Sequence, residues 1–171
     1  KKLEKKWVSL MKKQILILSN FLIILFFFSF SFSYSADTKS ISGKADIIDG
    51  DSIKIKGQSI RLVGIDAPEK KQLCKKPYLS LFIFTFSKSY RCGETSTNSL
   101  KKFINNQIIL CKIEEKKDFF KRYLGTCFKD KSNINSWLVK NGHALAFRKY
   151  SKKYLNEELY AKNNKIGLWQ G

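Results

Sequence analysis

The chain has 171 residues, one domain's worth once an N-terminal hydrophobic segment is set aside. Its 33 Lys and Arg against 14 Asp and Glu give a formal charge of +19, which attracts polyanions such as nucleic acid but carries no sequence readout. Four cysteines with no two close together exclude a CxxC redox motif or a zinc finger.

The chain opens on lysines, passes Met11-Lys12-Lys13, and enters an apolar run from Ile15 to Phe32 that ends in Ser33-Tyr34-Ser35-Ala36. A basic stretch, an apolar stretch and small residues in that order predict a signal peptide over residues 1–35, cleaved before Ala36. Met11 is the expected start, with Lys1 to Leu10 an upstream extension. An uncleaved membrane anchor is the alternative, because the run approaches spanning length. Either way the folded part, residues 36–171, is expected outside the cytosol.

Ile47-Ile48 and Ser52 to Lys56 flank Asp49-Gly50-Asp51, and Ile60 to Ile65 follows the Gly57-Gln58 turn. These read as three short strands with an acidic corner. Asp66 ends the third strand, and Pro68 stops any further ladder because it has no N–H to donate. Carboxylates from two corners can therefore converge, and hard oxygen donors grouped this way suit Ca²⁺ or Mg²⁺. Arg61, in an otherwise apolar strand, supplies a phosphate clamp, and Glu69 a candidate general base. Arg61 and Asp66 lie five residues apart and would face opposite ways in a regular strand, so a bulge near Gly64 or a strand end before Asp66 is required.

An even number of cysteines after a secretory segment points to two disulfides. Gln107 to Ile113 and Tyr123 to Phe128 read as a hairpin turning near Phe119, which sets Cys111 opposite Cys127 and leaves Cys74 to pair with Cys92. Bridges over loops of this size contribute about 3 kcal/mol. Between Cys74 and Cys92 lies the aromatic run Tyr78 to Tyr90. Three readings of it stay open: an extra hairpin tied down by the disulfide, a membrane- or partner-touching loop, or a poorly ordered insert. Helical spacing predicts helices over Thr95 to Asn105, over Asn133 to Asn141 with Gly142 just past the end, and over Lys152 to Asn164 with Tyr154, Leu155, Leu159 and Tyr160 partly buried. His143, the only histidine, reads as a packing or surface residue rather than a catalytic one.

Asp49-Gly50-Asp51-Ser52-Ile53 followed by Arg61-Leu62-Val63-Gly64-Ile65-Asp66-Ala67-Pro68-Glu69 resembles the signature of the staphylococcal nuclease-like (thermonuclease) proteins. The resemblance covers roughly Ser42 to Trp169. It implies an α+β fold, mainly β, with a five-stranded OB-fold barrel and about three packed helices. Further on, Asp118-Phe119-Phe120-Lys121-Arg122-Tyr123-Leu124 matches the family's D-[KR]-Y-G-R-x-L at Asp118, Arg122 and Leu124. Phe119 and Phe120 stand where a base and a tyrosine are usual. Lys121 replaces the glycine, forfeiting its conformational freedom.

The resemblance implies that Asp51 and Asp66 hold Ca²⁺ together with the Ala67 carbonyl. Asp49 supports the turn, Glu69 orients or deprotonates the attacking water, and Arg61 and Arg122 clamp the phosphate. Lys121, Phe147 and Tyr150 are the candidate substrate contacts. The implied activity is Ca²⁺-dependent hydrolysis of DNA and RNA, preferably single-stranded, to 3′-phosphorylated products by an exported monomer. A catalytically silent nucleic-acid-binding OB module is the alternative, and a membrane-anchored protein using the N-terminal segment or the 78–90 insert is a remoter one.

Overall fold

The computed structural model describes Trp7, residues 11–20 and residues 39–170. The chain divides into two units, Lys1–Asp37 and Thr38–Gly171. In the first, residues 11–20 are helical with exposed side chains. The remainder of the apolar run and the expected cleavage site before Ala36 lie outside the described residues. No described helix is long and apolar enough to cross a membrane.

In the second unit the strands are β1 (Ser40–Ile47), β2 (Ser52–Ile55), β3 (Gln58–Leu62), β4 (Ile65–Asp66), β5 (Cys74–Leu81), β6 (Phe84–Tyr90), β7 (Ile108–Lys117), β8 (Tyr123–Lys129), β9 (Ser132–Asn133) and β10 (Leu145–Ala146). The helices are α1 (Cys92–Ile104), α2 (Ile134–Lys140) and α3 (Leu155–Asn163), with a 3₁₀ turn at Gly167–Trp169. β1, β2 and β3 form an antiparallel meander, its second corner a two-residue turn in which Lys56 and Gly57 both have positive φ, as hairpins of this length favour. β7 pairs with the other edge of β1 and with β8, and β8 returns parallel to β3, with Arg61 opposite Leu124. The order β3-β2-β1-β7-β8 thus closes into a five-stranded barrel, with β9 added at β8.

Alternation along β7 points Ile109, Cys111 and Ile113 inward, against Ile53, Ile55 and Ile60 of the meander. Cys111 faces Cys127 in register and is disulfide-bonded to it inside the barrel. α1 buries Leu100 and Ile104, α2 buries Ile134 and Leu138, and Phe103 stacks on Trp137 at 4.0 Å between ring centroids. The Asn133 side chain caps α2 by accepting the Ser136 N–H, and Gly142 ends it with a positive φ.

Among the polar side chains buried in the described residues, Asn135 lies deepest. Asn135 is fully buried; its Oδ1 accepts the Cys127 N–H at 3.1 Å, and its Nδ2 donates to the carbonyls of Val63 at 2.9 Å and Gly125 at 3.2 Å. It bolts α2 across the seam where β3 meets β8.

Several expectations need correction. The third strand does not run unbroken from Ile60 to Ile65: it ends at Leu62, Gly64 turns the chain with φ 77°, and Ile65–Asp66 restarts as β4 against β10. α1 begins three residues before Thr95, because the Gln72 carbonyl accepts the Gly93 N–H that the helix start leaves free. Leu159 and Tyr160 are exposed, and the inward face of α3 is instead Glu158 and Ala161. Glu158 accepts the Ala146 N–H at 3.0 Å and pairs with Arg148 and Lys162, so an ionic contact orients this helix. Of the readings of the aromatic run, a hairpin forms: β5 and β6 make their own sheet, joined to α1 by the Cys74–Cys92 disulfide.

Replacing Asn135 by Ala leaves three buried backbone groups without their side-chain partner and should cost about 3 kcal/mol in urea unfolding. A loss below about 0.5 kcal/mol would show that water replaces the amide. Burial opposes ionisation of Glu158, but Arg148, the Ala146 N–H and Lys162 hold its carboxyl below the ordinary value of 4.5. Its charge therefore stabilises the fold fully above that value, and the contribution is lost as pH falls through the lowered folded value. Glu158→Gln should lower stability by roughly 1–3 kcal/mol at neutral pH, the gap narrowing as pH falls through the lowered folded value of Glu158.

Candidate active site

The site starts at the Asp49-Gly50-Asp51 corner. A Cβ on Gly50 would lie 2.3 Å from Ser96 Oγ and 2.6 Å from the Ala67 side chain, so only glycine lets the corner press against α1 and the segment after β4. The Asp49 carboxylate accepts the Asp51 N–H at 3.1 Å and fixes the turn. Asp51 is thereby driven inward and is only 4% exposed. Its oxygens accept from Ser52 Oγ at 2.9 Å and from the Ala67 N–H at 3.2 Å. Burial pushes its carboxyl up to about 6, against the pull of Arg61 and the Ala67 N–H, and Asp49 adds to the rise. A positive charge placed beside it relieves that cost.

Arg61 supplies such a charge. Its Nη1 lies 3.1 Å from Asp51 and its Nη2 donates to Asp66 at 2.8 Å. The two partners share one side of Arg61 because the turn at Gly64 resets the alternation, which satisfies the requirement that their five-residue spacing imposed.

Arg122 enters from the β7–β8 hairpin. Lys121 N–H closes the turn onto the Asp118 carbonyl at 2.9 Å, and Asp118 N–H bonds the Arg122 carbonyl at 2.8 Å. Lys121 occupies the left-handed position with φ 61°, where glycine would be unstrained. The Asp118 carboxylate accepts the Arg122 N–H and Nε, both at 2.9 Å, and lies 2.8 Å from Nη2. Burial opposes ionisation of Asp118, but these contacts hold its carboxyl low. The remaining nitrogen, Nη1, reaches Ser52 Oγ at 3.3 Å, which joins Arg122 to the Asp51 corner. The Phe120 ring lies 5.2 Å from the guanidinium, and Phe119 meets Phe120 edge-on; both rings are exposed.

Glu69 stands after Pro68 with its side chain exposed and without a hydrogen-bond partner among the described residues. Its backbone is held: its N–H donates to Gln72 Oε1 at 3.1 Å and its carbonyl accepts the Gln72 N–H at 2.7 Å. Phe147 N–H donates to the Gly64 carbonyl at 3.0 Å, which sets Phe147 beside the turn before Asp66, and Tyr150 packs on it at 4.9 Å. Lys121 projects from the hairpin tip next to Arg122. His143 lies against Trp137 at 5.4 Å, and burial lowers its pKa, in keeping with a packing role. Ser52 was missed as a link between the arginines. Its hydroxyl contacts residues 1 and 70 positions away, and no local pattern signals the second.

Asp51, Asp66, Arg61, Ser52 and Arg122 thus form one hydrogen-bonded cluster. Among the described residues no third Asp, Glu, His or Cys side chain joins the two carboxylates. Two carboxylates are a hard, all-oxygen donor set, which suits a cation such as Ca²⁺ or Mg²⁺ and does not suit zinc.

The family model described as staphylococcal nuclease homologue matches residues 59–171, which includes Arg61, Asp66, Glu69 and Arg122 and begins just after the Asp51 corner. The chain is 33% identical over 133 residues to the succinoglycan biosynthesis protein ExoI of Rhizobium meliloti, spanning 76% of this chain and 65% of that protein. It is 30% identical over 130 residues to an uncharacterized endonuclease of Escherichia coli O157:H7, spanning 72% of each. A probable staphylococcal-like nuclease of Oryza sativa subsp. japonica, CAN3, is 31% identical over 121 residues, spanning 70% of this chain and 27% of that protein. With the barrel closed, the motifs in order and the family model matching well over half of the chain, the protein belongs to the staphylococcal nuclease homologue family.

Proposed function

We propose that the protein is an exported, Ca²⁺-dependent endonuclease that hydrolyses DNA and RNA to 3′-phosphorylated products. The observation that carries this reading is the single cluster in which Asp51 and Ser52 join two arginines from different hairpins. A binding module has no need for two fixed guanidinium groups beside a carboxylate pair.

Phosphodiester hydrolysis requires an activated water and compensation of charge growing on the phosphoryl oxygens. Arg61 and Arg122 donate to those oxygens. Asp118 occupies the Nε and Nη2 side of Arg122, so that guanidinium is held in one orientation before substrate arrives. Glu69, with its backbone pinned by Gln72 and its carboxylate free among the described residues, takes a proton from the water that attacks phosphorus; the P–O5′ bond breaks, the phosphate stays on the 3′ side, and the departing 5′ oxygen takes a proton from solvent. Asp51, Asp66 and the Ala67 carbonyl would hold the calcium ion, which supplies a further positive charge at the phosphate. The exposed rings of Phe119, Phe120 and Tyr150 offer faces to unstacked bases, which favours single strands. Two disulfides suit an oxidising compartment, which supports export of residues 36–171.

A nuclease assay on single-stranded DNA and RNA, with calcium and with a calcium chelator, tests the reading. Cleavage should require calcium and leave 3′-phosphate ends. Glu69→Gln should lower turnover by roughly 10²-fold or more while strand binding persists. Arg61→Lys and Arg122→Lys should each cost about 10²- to 10³-fold. Strand binding without cleavage replaces the enzyme by a silent OB module, and cleavage indifferent to Glu69→Gln removes Glu69 from the general-base role.

A further inference from the structure

The β5–β6 hairpin lies outside the carboxylate–arginine cluster, and its composition is unlike the rest of the domain. Direct pairs Leu81–Phe84 and Leu79–Phe86 put four apolar side chains on one face. Past a one-residue slip at Tyr78, Lys76 pairs with Lys88 nearer the base. The opposite face is polar near the tip, where Ser80 and Thr85 lie 3.4 Å apart at their hydroxyls. Phe82 and Ile83 form the two-residue turn and stand almost wholly in solvent, with Phe82 at a φ of 52°. Six basic residues and no acidic one lie between Lys70 and Arg91. An apolar convex tip is thus backed by a basic stem.

We propose that this hairpin docks the protein on an anionic lipid surface, with Leu81, Phe82, Ile83 and Phe84 entering the headgroup–acyl boundary and Lys75 and Lys88 pairing with lipid phosphates. Convexity and charge select this occupant. A tight turn carrying an aromatic ring enters a fluid interface without a preformed cavity, and aromatic rings with lysines behind them are the side chains that such interfaces retain. Negatively charged leaflets attract the basic stem. A second copy of the chain would set one lysine-rich stem against another, and repulsion opposes that pairing.

Hydrogen exchange of residues 78–86 in the full chain is the test, because it reads the hairpin itself whatever residues 15–32 do on a membrane. On phosphatidylcholine vesicles containing about one-third phosphatidylglycerol, exchange there should slow roughly tenfold, and on pure phosphatidylcholine it should stay at its rate in buffer. Phe82→Ser with Ile83→Ser should abolish the slowing, and Lys75→Gln with Lys88→Gln should reduce it, while nuclease activity in solution is unchanged in both. Exchange unchanged by anionic vesicles, equal slowing on neutral ones, or slowing that survives the serine pair overturns the proposal. So does protection without vesicles that grows with protein concentration, which would assign the face to a second copy.

Discussion

The parallel pairing of β3 with β8 is the contact on which both the barrel and its rim depend. Every other strand neighbour in the barrel is antiparallel, and this one closes the circle. It also sets Arg61 opposite Leu124, so the two arginines, on hairpins far apart in sequence, arrive at the same rim. A parallel ladder of three residue pairs is weak by itself. Asn135 reinforces it from inside by accepting from β8 and donating to the carbonyls at Val63 and Gly125. Core stability and placement of the arginines therefore share one polar side chain.

A second constraint is the burial of Asp51. A carboxylate with so little solvent must be compensated, and the chain surrounds it with Ser52, the Ala67 N–H and Arg61. Each partner also serves another: Ser52 reaches Arg122, Arg61 reaches Asp66, and Ala67 follows Asp66 directly. Preorganisation at this rim thus grows out of the ordinary requirement that a buried charge be satisfied.

The acidic corner and the strands around it were legible because their signals are local, a turn tripeptide and runs of β-branched residues, whereas the barrel and the second arginine were legible through the resemblance that the ordered motifs carry. The break at Gly64 was legible too, since only a lost alternation lets Arg61 and Asp66 meet. What stayed hidden depends on partners far along the chain. Asn135 reads as one more polar residue on a short helix until β3 and β8 are known to pass beside it. The start of α1 depends on the Gln72 carbonyl, twenty residues earlier than Cys92 in the chain. On α3, apolar spacing pointed to Leu159 and Tyr160, whereas Glu158 won the inward face through its contacts with Ala146 and Arg148.

The Cys74–Cys92 bridge holds its two Cα atoms 5.6 Å apart, at the foot of the hairpin. Whatever chain runs between them begins and ends at the same two points, so its length and chemistry can change without moving Glu69 on one side or α1 on the other. The hairpin is in that sense a separable cassette, free to vary in length and chemistry while the rim that carries Asp51, Arg61 and Arg122 keeps its geometry.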